Sequence, residues 1–283
     1  MNPHLNAARV GLFRGWTEFL ATFRSLQELL LGYLLIPVVF LVMALYFLDG
    51  DVEGLGVGAV HMVAGIALMI AMLGVSTVAQ VLATEREDGT LLRSRAVPHG
   101  MVEYAVGKTL HVFLMSLIAL ALMVVPAMLF VDGVALQGAF GFFTLLWVCM
   151  LGLLSLAPLG AIFGSLINNP KNGPAAAMLP IVALVVISGL YFPLEYLPGW
   201  LQAIALIFPL HWIGEGLRAA LIPSEFTEAG LFGASELALA AGVLVLWAVL
   251  GFFAAQRVLR RMARRESGSR VQAARERAMQ RVY

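Results

Sequence analysis

Seven stretches of this chain contain no Asp, Glu, Lys or Arg, and each is long enough to cross a membrane. They are 29–48, 54–84, 109–131, 133–170, 172–194, 196–214 and 237–256. A lipid-spanning helix needs about 18–20 mostly apolar residues. Inside lipid, every backbone N–H and C=O must be paired within the protein, so only helices and closed barrels cross. Barrel strands alternate apolar and polar residues over about 10 positions. These runs are instead dense in Leu, Val, Ala and Met. The expected fold is all-α, a polytopic helical bundle in lipid. The whole chain agrees: 61% of its 283 residues are hydrophobic and 12% charged, against about 45–50% and 25% in soluble domains. Those proportions leave no room for a separate catalytic domain. With a single cysteine, Cys149, no intrachain disulfide can form.

Seven runs need not be seven spans. The run 196–214 carries Pro198, Gly199, Gln202, Pro209 and His211, and proline breaks a helix interior. A re-entrant or surface-lying helix pair fits it better. Six spans then follow, at 29–48, 59–83, 107–131, 140–165, 174–192 and 235–256. The positive-inside rule supports this choice. With six spans, seventeen of the eighteen Lys and Arg fall on one side, nine of them from Arg257 onward, and Arg218 alone falls on the other. The opposite loops hold Asp49, Asp51, Glu53, Asp132, Glu195, Glu215, Glu225 and Glu228. Both termini are therefore expected in the cytoplasm of a multi-pass cell-membrane protein, with no cleavable leader.

Three domains are expected. Residues 1–28 form a cytoplasmic amphipathic interfacial helix, with Leu5, Leu12, Trp16, Phe19 and Phe23 at helical spacing and lying in the acyl boundary. Residues 29–256 are the six-helix domain, including a cytoplasmic loop at 84–108 and an extracellular re-entrant region at 193–222. Residues 257–283 are a basic tail, able to meet anionic head groups or simply to fix orientation. Small residues Gly65, Gly74 and Ser76, then Gly152, Ser155, Gly160 and Gly164, point to close helix packing.

Signs of chemistry are missing. No span has an ionisable residue at its middle, which argues against an ion pump or proton antiporter. No metal or catalytic pattern occurs among the five histidines. Gly107-Lys108-Thr109 lacks the upstream glycine of a phosphate loop, because position 102 is Val. The chain is thus read as no enzyme, with no cofactor bound directly and no nucleic-acid partner.

The loop 84–108, TEREDGTLLRSRAVPHGMVEYAVGK, is the most informative segment. Gly89 permits a sharp exit, Thr90 can cap a short helix bearing Leu91 and Leu92, and Pro98 ends it. This segment resembles the Glu-Arg-Glu-x-Gly-Thr-Leu motif of the type-2 ABC transporter permeases, the drug and polysaccharide exporter family. A second match follows in order: Ser188-Gly189-Leu190-Tyr191-Phe192-Pro193-Leu194, Leu197-Pro198-Gly199-Trp200-Leu201, Pro209-Leu210-His211-Trp212 and Gly216-Leu217-Arg218. Together with six spans, the two motifs cover nearly the whole chain.

The resemblance, strongest to multidrug-resistance permeases, implies the membrane subunit of an ATP-driven exporter. ATP–Mg would sit on a separate ABC ATPase subunit. Glu85, Arg86, Glu87, Asp88, Gly89, Thr90, Leu91 and Pro98 would form the coupling element that seats on it. Phe192, Pro193, Leu197, Pro198, Trp200 and Pro209 would belong to an extracellular re-entrant gate. A second permease copy or a homologous permease would complete the pathway. Membrane lipid would surround it, and a small hydrophobic drug-like or lipid-linked substrate would be its cargo. One departure stands out: Leu92 and Arg93 follow Thr90-Leu91 where the family often has an acidic residue. The alternative function is a non-transporting ABC-coupled membrane sensor or assembly factor, and an uncoupled channel is disfavoured by the lack of a polar lining.

Overall fold

The computed structural model describes residues 3–46, 50–52, 55–87, 97–166, 173–192, 194–223 and 236–258. Nine helices carry the described fold: α1 (Pro3–Thr22), α2 (26–46), α3 (57–87), α4 (Gly100–Phe130), α5 (Gly138–Leu166), α6 (Gly173–Ile187), α7 (Gly199–Ile207), α8 (Pro209–Leu221) and α9 (Glu236–Val258). A two-residue antiparallel pairing, β1 (Asp51–Val52) with β2 (Leu55–Gly56), closes the turn between α2 and α3. That pairing was not expected from the sequence. Otherwise the all-α expectation holds.

Among the described residues, four helices are long and apolar enough to cross a membrane: α3 over Val57–Ala83, α4 over Val102–Phe130, α5 and α9. The count becomes five if α7 and α8, which meet at a 79° bend, are taken as one broken span. Among the described residues, the expected first and fifth spans are represented by the shorter apolar helical stretches Leu35–Tyr46, within α2, and Met178–Ile187, within α6. The fifth run stops at Ile187 rather than 192 because the chain reverses, with Gly189 at φ +73°. Six spans are thus a finer statement than the helix lengths alone carry.

The run 196–214 does break in two, as its prolines require. Pro198 caps α7 from outside the helix, and Pro209 opens α8 at its first position. There the missing N–H costs nothing, since the first amides of a helix have no partner within it.

Helix α3 is the axis of the bundle. Of its most apolar window 72% is buried, against 17% for α9, so α3 is wrapped by protein while α9 faces outward. Met62, Ile66, Met69 and Ile70 are fully buried on it. A π-helical segment at Met72–Thr77 interrupts its α-helical bonding. Helix α5 lies against this segment through the small residues the sequence singled out. A Cβ on Gly160 would stand 2.6 Å from the carbonyl oxygens of both Gly74 and Val75, and one on Gly164 would stand 2.7 Å from that of Ala79. Without a strong hydrophobic drive between helices in lipid, such close backbone approach is what holds them.

Helix α1 packs along the first turns of α4. Its buried face is Ala7, Gly11, Gly15, Phe19 and Thr22. A Cβ on Gly107 of α4 would lie 2.7 Å from Gly11 O. The aromatic and leucine stripe divides accordingly: Phe19 turns inward, while Leu5, Leu12, Trp16 and Phe23 stay exposed.

Candidate functional site

At the end of the bundle where α3 finishes and α4 begins, the expected coupling residues are only partly described. Glu85, Arg86 and Glu87 form the last turn of α3. Asp88, Gly89, Thr90 and Leu91 lie outside the described residues, so the short helix expected there is not seen either way. Pro98 sits in an exposed turn that leads into α4. His99 closes that turn in the left-handed conformation, φ 60°, and its carbonyl accepts the amides of Val102 and Glu103.

A charged cluster fastens α1 beside this turn. Arg14 Nε donates to Glu18 Oε1 at 2.9 Å, and Lys108 Nζ reaches Glu18 Oε2 at 3.5 Å. The Arg14 guanidinium also stands 6.0 Å from the Tyr104 ring centroid, at the outer limit of cation–π contact. Partial burial pushes the Glu18 carboxyl up, but the Arg14 hydrogen bond and the charges of Lys108 and Arg14 outweigh it. The net effect is a pKa below the ordinary glutamate value. Lys108, the lysine of the discarded Gly-Lys-Thr tripeptide, thus takes part in joining α1 to α4.

The opposite end holds the bent helix pair. Trp200 and Pro209 fall on it, and Phe192, Leu197 and Pro198 fall on the stretch leading into it. Pro193 lies outside the described residues. Trp200 is 66% exposed and Phe192 is at the edge of exposure. Leu197 O accepts Gln202 Nε2 at 2.8 Å. Two indoles pin the bend: Trp212 Nε1 donates to Leu206 O at 2.8 Å, and Trp247 Nε1 of α9 donates to Ile207 O at 2.7 Å. The last carbonyls of α8, Ala220 and Leu221, have no partner within their helix. They accept the amides of Gln137 and Ala135 from the α4–α5 connection, at 3.2 and 2.8 Å.

Sequence reasoning missed a polar network on α8. His211, Glu215 and Arg218 share one face at i, i+4 and i+7. Arg218 Nη1 donates to Glu215 Oε1, and His211 Nδ1 stands 3.9 Å from that same oxygen. Charge counting leaves Arg218 alone on the outside, and the motif match includes it in Gly216-Leu217-Arg218, but neither names a partner for it. The available signal was the i, i+4, i+7 spacing of three ionisable residues on an otherwise apolar helix. Ser188 supplies a further element, its Oγ bonded to Val185 O at 2.8 Å. Among the described residues, no group of three His, Cys, Asp or Glu gathers that could hold a metal ion.

A lipid-suited helical bundle, broken near one end by a proline-bounded helix pair, defines the class: a multi-pass membrane protein. Its family is narrower. The chain belongs to the ABC-2 transporter family, since the family model described as ABC-2 family transporter protein matches residues 53–256. That match runs from the α2–α3 turn through α9. The chain is also similar to the linearmycin resistance permease protein LnrN of Bacillus subtilis (strain 168). The two are 23% identical over 205 residues, which cover 70% of this chain and 48% of the relative. The chain therefore spans about half the length of the curated relative it matches.

Proposed function

We propose that this chain is the membrane subunit of an ATP-driven exporter, moving a hydrophobic drug-like or lipid-linked substrate out of the cytoplasm or inner leaflet. The observation that carries the reading is the family match across 53–256, which takes in all four helices long enough to cross a membrane. Similarity to a permease named for linearmycin resistance favours a drug-like cargo. In this reading α2 and α6 complete six spans, both termini are cytoplasmic, and the α7–α8 pair dips into the outer leaflet above the pathway. A second permease, identical or homologous, encloses the path.

The work comes from a separate ABC ATPase that binds and hydrolyses ATP–Mg. It meets the chain at the loop between α3 and α4, with Glu85 to Leu91 and Pro98 as the coupling element. Helix α1, joined to α4 through Glu18 and Lys108, moves with that element. ATP shifts the dimer between states only through its differential affinity for them.

The test is purification of the chain from native membranes, followed by a screen of lipophilic compounds for stimulation of the ATPase that comes with it. An ABC ATPase in the complex, stimulated by at least one compound that is also exported, is the expected result. A complex without an ATPase overturns the reading. Stimulation without measurable flux of any compound favours the sensor alternative.

A further inference from the structure

Helix α6 ends at Ile187, and the chain turns back through Ser188, Gly189 and Leu190. The left-handed φ of Gly189, +73°, makes the reversal possible without strain. A helix end followed by a reversal leaves backbone carbonyls without helical partners. Here three consecutive carbonyls are met by one face of one other helix. His211 Nδ1 donates to Ser188 O at 2.9 Å. Arg218 Nη2 donates to Gly189 O at 2.6 Å and to Leu190 O at 3.2 Å. Glu215, accepting from Arg218 Nη1, keeps the guanidinium aimed.

An apolar contact coincides with these bonds. Leu190 is 2% exposed, and its side chain fills the space a Cβ would need at Gly214, midway between His211 and Arg218. The side chains of His211, Glu215 and Arg218 are only 10%, 17% and 20% exposed. Parting α8 from the reversal would keep the Glu215–Arg218 pair, which lies within α8, but would strip His211 Nδ1, Arg218 Nη2 and three backbone carbonyls of the partners they have across the contact. A largely buried donor or acceptor left without its partner is costly.

We propose that the reversal after α6, residues 188–190, and helix α8 form a single mechanical unit, with Arg218 as the positioning residue that joins them. Any opening at this end of the bundle is taken up on either side of the unit and not between its two parts. This deepens the exporter reading, which enters only through the motion that a transport cycle would supply.

Hydrogen exchange on the purified full chain in nanodiscs tests it. Amides in 188–192 and in 209–221 are expected to exchange through one common opening. Arg218→Gln should speed both segments together, by about tenfold or more, since it removes charge-assisted bonds. Arg218→Lys keeps the charge but loses the planar fork and should fall between the two. Acceleration confined to one segment, or none in either, overturns the proposal.

Should Arg218→Gln fail to fold, a cysteine pair decides. In a Cys149→Ser background, Leu190→Cys with Gly214→Cys should form a disulfide at the same rate with and without ATP and vanadate, in the complex with the co-purified ATPase. A rate that falls in one nucleotide condition means that the two parts separate, and the proposal is wrong. If no ATPase accompanies the chain, the exporter reading fails, while the exchange comparison still decides the mechanical unit.

Discussion

Replacing Gly160 by alanine adds one methyl group at the tightest backbone approach between α5 and α3. Its Cβ would stand 2.6 Å from Gly74 O and from Val75 O, and 3.0 Å from Val75 Cα. All three neighbours are backbone, so none can swing aside. A carbon next to a carbonyl oxygen rests at about 3.3 Å or more, which requires the helices to part by roughly 0.7 Å. A gap of that size forfeits a quarter to a half of each dispersion contact along the seam. Overpacking of this kind costs about 1–3 kcal/mol. Gly242 on α9 is the control, since a Cβ there meets nothing within 4 Å. Its change to alanine should be neutral or stabilising, by up to about 1 kcal/mol. The assay is SDS unfolding in mixed micelles, followed by tryptophan fluorescence. Gly160→Ala should unfold at lower SDS than wild type, and Gly242→Ala should not. Equal midpoints for the two variants would refute the claim that the glycine seam holds α5 on α3.

Three further outcomes are expected. Because the Glu18 carboxyl titrates below the ordinary glutamate value of about 4.3, its pairing stabilises the α1–α4 contact above that pH. The contribution is lost as pH falls through the lowered pKa, and Glu18→Gln should remove this acid-side loss while costing no more than about 1 kcal/mol at neutral pH, read from α1 hydrogen exchange. In a Cys149→Ser chain, a cysteine at Ser224 should react with an impermeant thiol reagent in intact cells, whereas cysteines at Ser94 and Ser269 should not; labelling at Ser269 from outside contradicts six spans. Gly89→Val, and Glu85→Lys combined with Glu87→Lys, should leave membrane insertion intact but abolish ATP-dependent export; normal export in both removes the coupling role of this loop.

The helices were largely legible because lipid imposes one simple rule, a long run without charge. The break at Pro198 and Pro209 followed from the missing amide of proline. The α3–α5 seam was visible in Gly152, Gly160 and Gly164, since small residues in apolar helices have few other uses. Besides the β1–β2 pairing, three features were not visible. The π-helical segment at Met72–Thr77 has no residue pattern of its own. On α1 the bulky stripe drew attention, yet Ala7, Gly11 and Gly15 form most of the packed face. For a helix beside lipid, large apolar side chains can stay outside and small ones let backbones meet. The network on α8 depends on residues 188–190 returning to its side across 23 to 29 positions. Charge counting treats such residues as solvent-facing and hides that contact.

The central claim is a division of labour, with this chain forming the membrane path and another chain holding the nucleotide. Photo-crosslinking of the natively purified complex with an azido-ATP analogue tests it most directly. Saturable labelling is expected on a partner ATPase, with this chain unlabelled both in the complex and after the partner is stripped away. Saturable labelling of the purified, partner-free chain would contradict the account.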